Sequence, residues 1–253
     1  MLAYPMQIVG VIPARYGSRR FPGKPLAMIG SKPLLQWVIE GAKQSQKINK
    51  IIVATDDDRI CQLVETLGEQ CVMTSSDLPT GSDRVWSAVK DMNADVVVNI
   101  QGDEPLIDGP TLDALVEPFF TNEHLEMATL AKPISVSDLE NKNTAKILLN
   151  KNSEAIYFSR FPIPYSRDTI GEEQDICCVK HIGIYAYQKG FLKQFCAQPP
   201  VAIEAGESLE QLRALYLGAK IKVIQVNHES WGVDHPEDIE RVKKKLKDRY
   251  GSI

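Results

Sequence analysis

The first half of the chain alternates between short apolar runs and amphipathic stretches, and that alternation limits the fold more than any other feature. MQIVGVI (6–12), KIIVAT (50–55), CVMT (71–74) and DVVVNI (95–100) read as strands buried on both faces. Between them, KPLLQWVIEGAKQSQ (32–46), DDRICQLVETLG (57–68) and SDRVWSAVKDM (82–92) repeat apolar residues at helical spacing. A βαβ series of this kind predicts a mainly parallel, doubly wound α/β sheet. Ligands of such sheets sit beyond the carboxyl ends of the strands. The unusual loops all fall at that edge: IPARYGSRRFPGKP after the first strand, TDDD after the second, SSDLPTGSDR after the third and QGDEP after the fourth.

From about residue 125 the pattern changes. LEMATLAKPI (125–134), AKILLN (145–150), AIYFSR (155–160), VKHIGIYAYQ (179–188) and KIKVIQV (220–226) are strand-like, whereas SLEQLRALYLG (208–218) and PEDIERVKKKLKDRY (236–250) are helical. This half suggests antiparallel strands laid against the parallel core. No linker rich in Gly, Ser or Pro marks a separate domain, so residues 1–253 are expected to form one α/β domain with halves 1–124 and 125–253. The polar segment SRDTIGEEQDICC (166–178) is expected to be a mobile loop.

With 29 basic and 33 acidic residues the formal net charge is −4, which does not suit a surface built to coat nucleic acid. Four cations nevertheless fall within ten positions, Arg15, Arg19, Arg20 and Lys24, and a local basic cluster on an acidic chain reads as a small-anion site. The opening MLAYPMQIVGVIPA lacks the basic start of a signal peptide, and no run reaches the length of a membrane span. A soluble, cytoplasmic protein with no membrane partner is expected. The five cysteines, Cys61, Cys71, Cys177, Cys178 and Cys196, are odd in number and show no CxxC, so all are expected to be reduced.

In the opening loop, Gly17 and Gly23 let the backbone approach a ligand. The loop has neither GxxxxGK[ST] nor GxGxxG spacing, so it is neither a P-loop nor a dinucleotide fingerprint. Arg15 as a planar fork and Lys24 as a point charge suit phosphates; the alternative is a solvated basic loop. Arg19 and Arg20 are adjacent and cannot both face the way Lys24 does. QGDEP projects Asp103 and Glu104 from the ligand edge, where a carboxylate beside a triphosphate is a natural Mg²⁺ ligand, although Asp103 or Asp108 could instead cap the helix that follows. GVDHPED presents Asp234 before another helix, open to the same two readings. TGSDR offers Gly81, Ser82 and Arg84 to a base or a phosphate, with Ser82 equally suited to be an N-cap. KHIGIYAY places His181, Gly183, Tyr185 and Tyr187 on one strand face, where packing explains them as well as catalysis does. ESLEQLR puts Glu207, Glu210, Gln211 and Arg213 on a helix. No GxSxG supports a serine triad, and no ligand spacing supports zinc.

Taken together, IPARYGSRRFPGKPL, VATDD, TGSDR, VNIQGDEP, MATL, HIGIYAY, LEQLR and GVDHPEDIERV resemble the 3-deoxy-D-manno-octulosonate (Kdo) cytidylyltransferases, in order and over residues 8 to 243. The resemblance implies a nucleotide-diphospho-sugar transferase type of fold, a homodimer with an antiparallel dimerisation subregion, and a Mg²⁺-dependent joining of CTP to Kdo for lipopolysaccharide synthesis, with release of pyrophosphate. It makes 1–124 the nucleotide-binding half and 125–253 the sugar-binding and dimerisation half. It assigns Arg15 and Lys24 to the CTP phosphates, the Ala14 backbone to the nucleotide, and Gly81, Ser82 and Arg84 to the cytosine and ribose. Asp103 and Asp234 become Mg²⁺ ligands, with Arg15, Lys24 and Asp103 the catalytic set. Gln101, which also borders CTP, Arg160, His181, Tyr185, Glu210 and Gln211 surround the sugar. TGSDR and GVDHPED depart from the more usual SGTER and GVDTPED without removing a catalytic group. Rival readings are an enzyme for 8-amino-Kdo or another acid sugar, a silent nucleotide-binding module, and a dehydrogenase, which the missing GxGxxG disfavours.

Overall fold

The computed structural model describes residues 5–18, 20–165 and 177–251. Arg19 and most of the segment expected to be a mobile loop, 166–176, lie outside the described residues. In chain order the elements are β1 (Ile8–Ala14), a 3-10 turn (Lys24–Leu26), β2 (Met28–Ile29), β3 (Lys32–Pro33), α1 (Leu34–Ala42), β4 (Lys50–Thr55), α2 (Asp58–Thr66), β5 (Gln70–Met73), α3 (Gly81–Val89), β6 (Val96–Asn99) and α4 (Gly109–Val116). A second 3-10 turn (Glu117–Phe120) precedes β7 (Met127–Lys132), α5 (Val136–Glu140), β8 (Lys146–Leu149), β9 (Ala155–Ser159), β10 (Cys178–Gln188), α6 (Lys189–Ala197), α7 (Ala202–Glu207), α8 (Leu212–Tyr216), β11 (Ile221–Gln225) and α9 (Asp238–Tyr250). They form two compact units, Met1–Asp113 with His228–Ile253, and Ala114–Asn227. The C-terminal segment, grouped by sequence with the second half, thus packs with the first.

In the first unit the strands pair in parallel, in the order β6, β1, β4, β5. Their β-branched residues fill the interior: Ile8, Val11, Ile12, Ile52, Val53, Val97 and Val98 are fully buried, each contributing roughly 1.5–3 kcal/mol. The chain winds outward from β1 through β4 to β5, and α3 then carries it back to β6 on the other side of β1. Strand order therefore reverses between β1 and β6, the position at which open α/β sheets bind ligands.

The cysteine expectation needs correction, because Cys61 and Cys71 form a disulfide. The turn after α2, with Gly68 at φ 75°, sends the chain directly into β5. Cys61 on the helix and Cys71 on the strand then stand opposite each other with Cα atoms 5.5 Å apart, inside disulfide range. Cys177, Cys178 and Cys196 are free.

In the second unit β7, β10, β8 and β9 pair antiparallel in that order, as expected. β11 is the exception and joins β7 in parallel. The helix read over 208–218 is also corrected. Glu207 ends α7, Ser208 turns left-handed at φ 53°, and α8 starts only at Leu212, so Glu207, Glu210, Gln211 and Arg213 do not share one helix.

Candidate active site

A cleft of about 320 Å³ opens in the first unit and is lined by Ala14, Arg15, Lys24, Gly81, Gln101 and Asp103, among others. Its walls are the ends of β1 and β6, drawn together because position 102 is glycine: a Cβ there would meet the Pro13 carbonyl oxygen at 2.7 Å. Gly23 closes the opening loop on itself. Its N–H donates to the Tyr16 carbonyl at 2.9 Å, and its φ of 72° is one that other residues rarely adopt. Lys24 follows and heads the short 3-10 turn. Arg15 donates from Nη2 to the carbonyls of Leu78 and, at 3.2 Å, Thr80, tying the loop after β1 to the start of α3. The N-terminus of α3 enters the cleft at Gly81, where the positive end of the helix dipole favours an anion.

The two aspartates far apart in sequence meet around one ammonium. Lys24 Nζ lies 2.6 Å from Asp103 Oδ2 and 3.9 Å from Asp234 Oδ1, and donates to the Val233 carbonyl at 2.7 Å. Arg20 adds a more exposed pair with Asp234 at 2.9 Å. Neither aspartate is a helix cap. Asp108 caps α4 by accepting the Thr111 N–H at 2.9 Å. At α9 the Asp238 carboxylate accepts the N–H groups of Asp234 and His235, each at 2.9 Å. Among the described residues no three His, Cys, Asp or Glu side chains gather to hold a metal. Asp103 and Asp234 are a hard, two-carboxylate donor set already holding a cation, a set that would suit a Mg²⁺ ion.

Three neighbours expected at the ligand edge point elsewhere. Glu104 is buried and turned inward; it accepts the Ser230 hydroxyl proton and the Trp231 N–H, the latter at 3.0 Å. Burial pushes its carboxyl up to about 7, against the downward pull of those two donors. Arg84 is fully buried, bonded to Asp56 at 2.9 Å and to the Thr74 hydroxyl, where it ties the loops after β4 and β5 together. Burial lowers its pKa more than Asp56 raises it. Ser82 is buried too, inside α3, and the N-cap is Thr80, in a capping box with Asp83. Thr80 was overlooked in the sequence, although the T-x-x-D spacing carries that signal.

In the second unit, β10 bulges between Ile182 and Tyr185 against β7. Thr129 of β7 donates its hydroxyl proton into the bulge, to the Ile184 carbonyl at 2.9 Å, and lies 3.0 Å from His181 Nε2. Gln211 joins the same cluster, 3.4 Å from His181 Nδ1 and accepting the Tyr185 hydroxyl proton at 3.1 Å. Burial lowers the His181 pKa to about 3 and raises that of Tyr185. Arg160 donates through Nε to the Glu207 carbonyl at 2.9 Å and through Nη2 to the Ser208 carbonyl at 3.2 Å. The Glu207 carboxylate accepts its backbone N–H at 2.8 Å. Glu210 lies 3.8 Å from Arg213, whose main partner is Glu204 at 2.5 Å. Glu207, read as part of one helix face, instead anchors Arg160, and Thr129 lies within MATL, where nothing local marks it.

The cytidylyltransferase family matches residues 9–221. A 3-deoxy-manno-octulosonate cytidylyltransferase of Bdellovibrio bacteriovorus is 57% identical over 242 residues, covering 95% of this chain and 98% of its own. One from Trichlorobacter lovleyi is 42% identical over 250 residues, covering 96% and 99%. Among solved structures, a CMP:2-keto-3-deoxy-manno-octonic acid synthetase complexed with CTP superposes with a TM-score of 0.91 at 38% identity, over 96% of this chain and 99% of that one.

Proposed function

The chain belongs to the cytidylyltransferase family, and from that premise we propose that it transfers the cytidylyl group of CTP to the anomeric hydroxyl of Kdo, forming CMP-Kdo and releasing pyrophosphate. The observation that carries this reading is the convergence of Arg15, Lys24, Asp103 and Asp234 about one cleft, alongside near full-length relatives of that name.

An acid sugar must approach a highly charged triphosphate, so the first task of the site is to neutralise charge. In this reading Arg15 and Lys24 hold phosphate oxygens, and the N-terminus of α3 at Gly81 adds fixed N–H dipoles. Asp103 and Asp234 would hold Mg²⁺, which when bound supplies Lewis-acid stabilisation of the phosphates and a lowered pKa for a bound hydroxyl. Orientation of the two substrates supplies much of the remaining rate. In the second unit we assign Arg160, His181, Tyr185, Glu210 and Gln211 to the sugar. His181 stays neutral there, which suits binding of hydroxyl groups better than proton transfer.

The test is pyrophosphate release from CTP and Mg²⁺ with a panel of 2-keto acid sugars. The expected result is release with Kdo, well above that with sialic acid or 8-amino-Kdo, and CMP-Kdo as the nucleotide product. Release with another sugar in preference to Kdo, or with none, overturns the assignment.

A further inference from the structure

Lys24 is asked to serve two anions. As a phosphate ligand it must reach into the cleft, yet its ammonium sits on Asp103 at 2.6 Å and on the Val233 carbonyl at 2.7 Å, with Asp234 at 3.9 Å. Its side chain is only 15% exposed, so this position is a defined one. The Asp103 oxygen it covers is one that a metal would take. Arg20 covers Asp234 in the same way, 2.9 Å from Oδ1. Two cations on two carboxylates leave the cluster with no net charge, and a divalent ion arriving alone finds no field to draw it in and a lysine to displace.

We propose that Lys24, assisted by Arg20, is a placeholder cation: it holds the two aspartates in position until a triphosphate draws its ammonium away and opens the carboxylates to the metal. This rests on the reading of Asp103 and Asp234 as metal ligands. Metal and nucleotide binding are then coupled through one side chain with two alternative partners. The coupling is reciprocal, since whatever favours one position of the lysine favours both ligands together. Lys24 acts here as a positioning residue as well as a phosphate ligand. The free protein discriminates against metal in the absence of nucleotide.

The measurement is Mn²⁺ binding to the full chain without nucleotide, followed by the paramagnetic resonance of the free ion. Lys24→Met should bind Mn²⁺ about tenfold more tightly than the wild type, within the usual range of such coupling. A purely structural lysine, or one that only binds phosphate, would leave that affinity unchanged or weaken it, and either result overturns the proposal. Arg20→Met should tighten binding less, because its pair with Asp234 is exposed and screened. Should Lys24→Met lose its fold in a thermal melt, Arg20→Met carries the test alone, and unchanged affinity there overturns the proposal. Asp103→Asn in the Lys24→Met background separates the two readings. Loss of the Mn²⁺ site supports both. Unchanged affinity puts the metal elsewhere and removes the premise, whatever Lys24→Met shows.

Discussion

Thr129 has one hydroxyl proton, and the Ile184 carbonyl takes it at 2.9 Å, so at its 3.0 Å contact with His181 the imidazole Nε2 must be the donor. Nδ1 is then an acceptor, facing the Gln211 amide at 3.4 Å. The ring is neutral with a fixed tautomer, and protonation would place a second N–H against an amide donor in a buried setting. Burial of the ring, which disfavours the charged form, holds its pKa near 3 in place of 6.5. Its sign for stability follows by linkage: between pH 6.5 and about 3 the unfolded chain takes up a proton at this histidine and the folded chain does not, so stability falls as pH drops below 6.5. His181→Gln should remove that contribution. Urea midpoints measured from pH 7 to pH 4 should fall less steeply in the variant than in the wild type, by up to roughly 1.4 kcal/mol per pH unit. Parallel curves would mean that His181 takes up its proton in the folded state as well.

The link between α2 and β5 is an element-scale feature. The disulfide closes a loop across a sequence separation of 10, and chain-entropy arguments give it roughly 2–3 kcal/mol. The loops beside both elements are joined at Arg84: Asp56 precedes α2, Thr74 follows β5, and both hold its guanidinium. Reduction with dithiothreitol, or Cys61→Ala with Cys71→Ala, should lower the unfolding free energy from urea titration by that amount. Mass spectrometry of unreduced, alkylated protein should find three modified cysteines, whereas five would mean the bond is not formed. Elements of this kind were legible in the sequence where one physical signal dominated. β1, β4 and β6 stand out because burial on both faces demands unbroken β-branched runs, and α2 because its apolar residues recur at helical spacing; β5, read in the same way, is instead an edge strand with Gln70 and Met73 exposed. The break between α7 and α8 was hidden, since its left-handed residue is Ser208, where glycine would have given the turn away. Arg84 was misleading for a related reason. An arginine in the first turn of a helix reads as exposed until its partner is known, and Asp56, which it bonds at 2.9 Å, comes from a different loop, after β4.

At the scale of the molecule, the first unit is built from two stretches of chain, and the second must come back to the first before the site exists. Nothing in local sequence could show that Asp103 and Asp234 meet, because the return of residues 228–253 decides it. That return is held by backbone and side-chain contacts: the Val233 N–H donates to the Asp103 carbonyl at 3.0 Å, Arg249 donates to the Leu106 carbonyl at 2.6 Å, and Tyr250 stacks on Trp37 at 5.8 Å. Glu104 is the polar knot among them, one residue from Asp103 and bonded to Ser230 and Trp231. Removing its carboxylate strands two donors, and leaving such groups unsatisfied costs about 1–3 kcal/mol. Glu104→Ala should therefore lower the unfolding free energy from urea titration by that amount. It should also weaken Mn²⁺ binding severalfold in the Lys24→Met background, because Asp234 follows the segment that Glu104 holds. Glu104→Gln keeps a carbonyl acceptor for one of the two donors and should lose less of both. Equal effects of the two variants on stability, with metal affinity untouched, would mean that the backbone bond from Val233 to Asp103 suffices to hold Asp234 at the cleft.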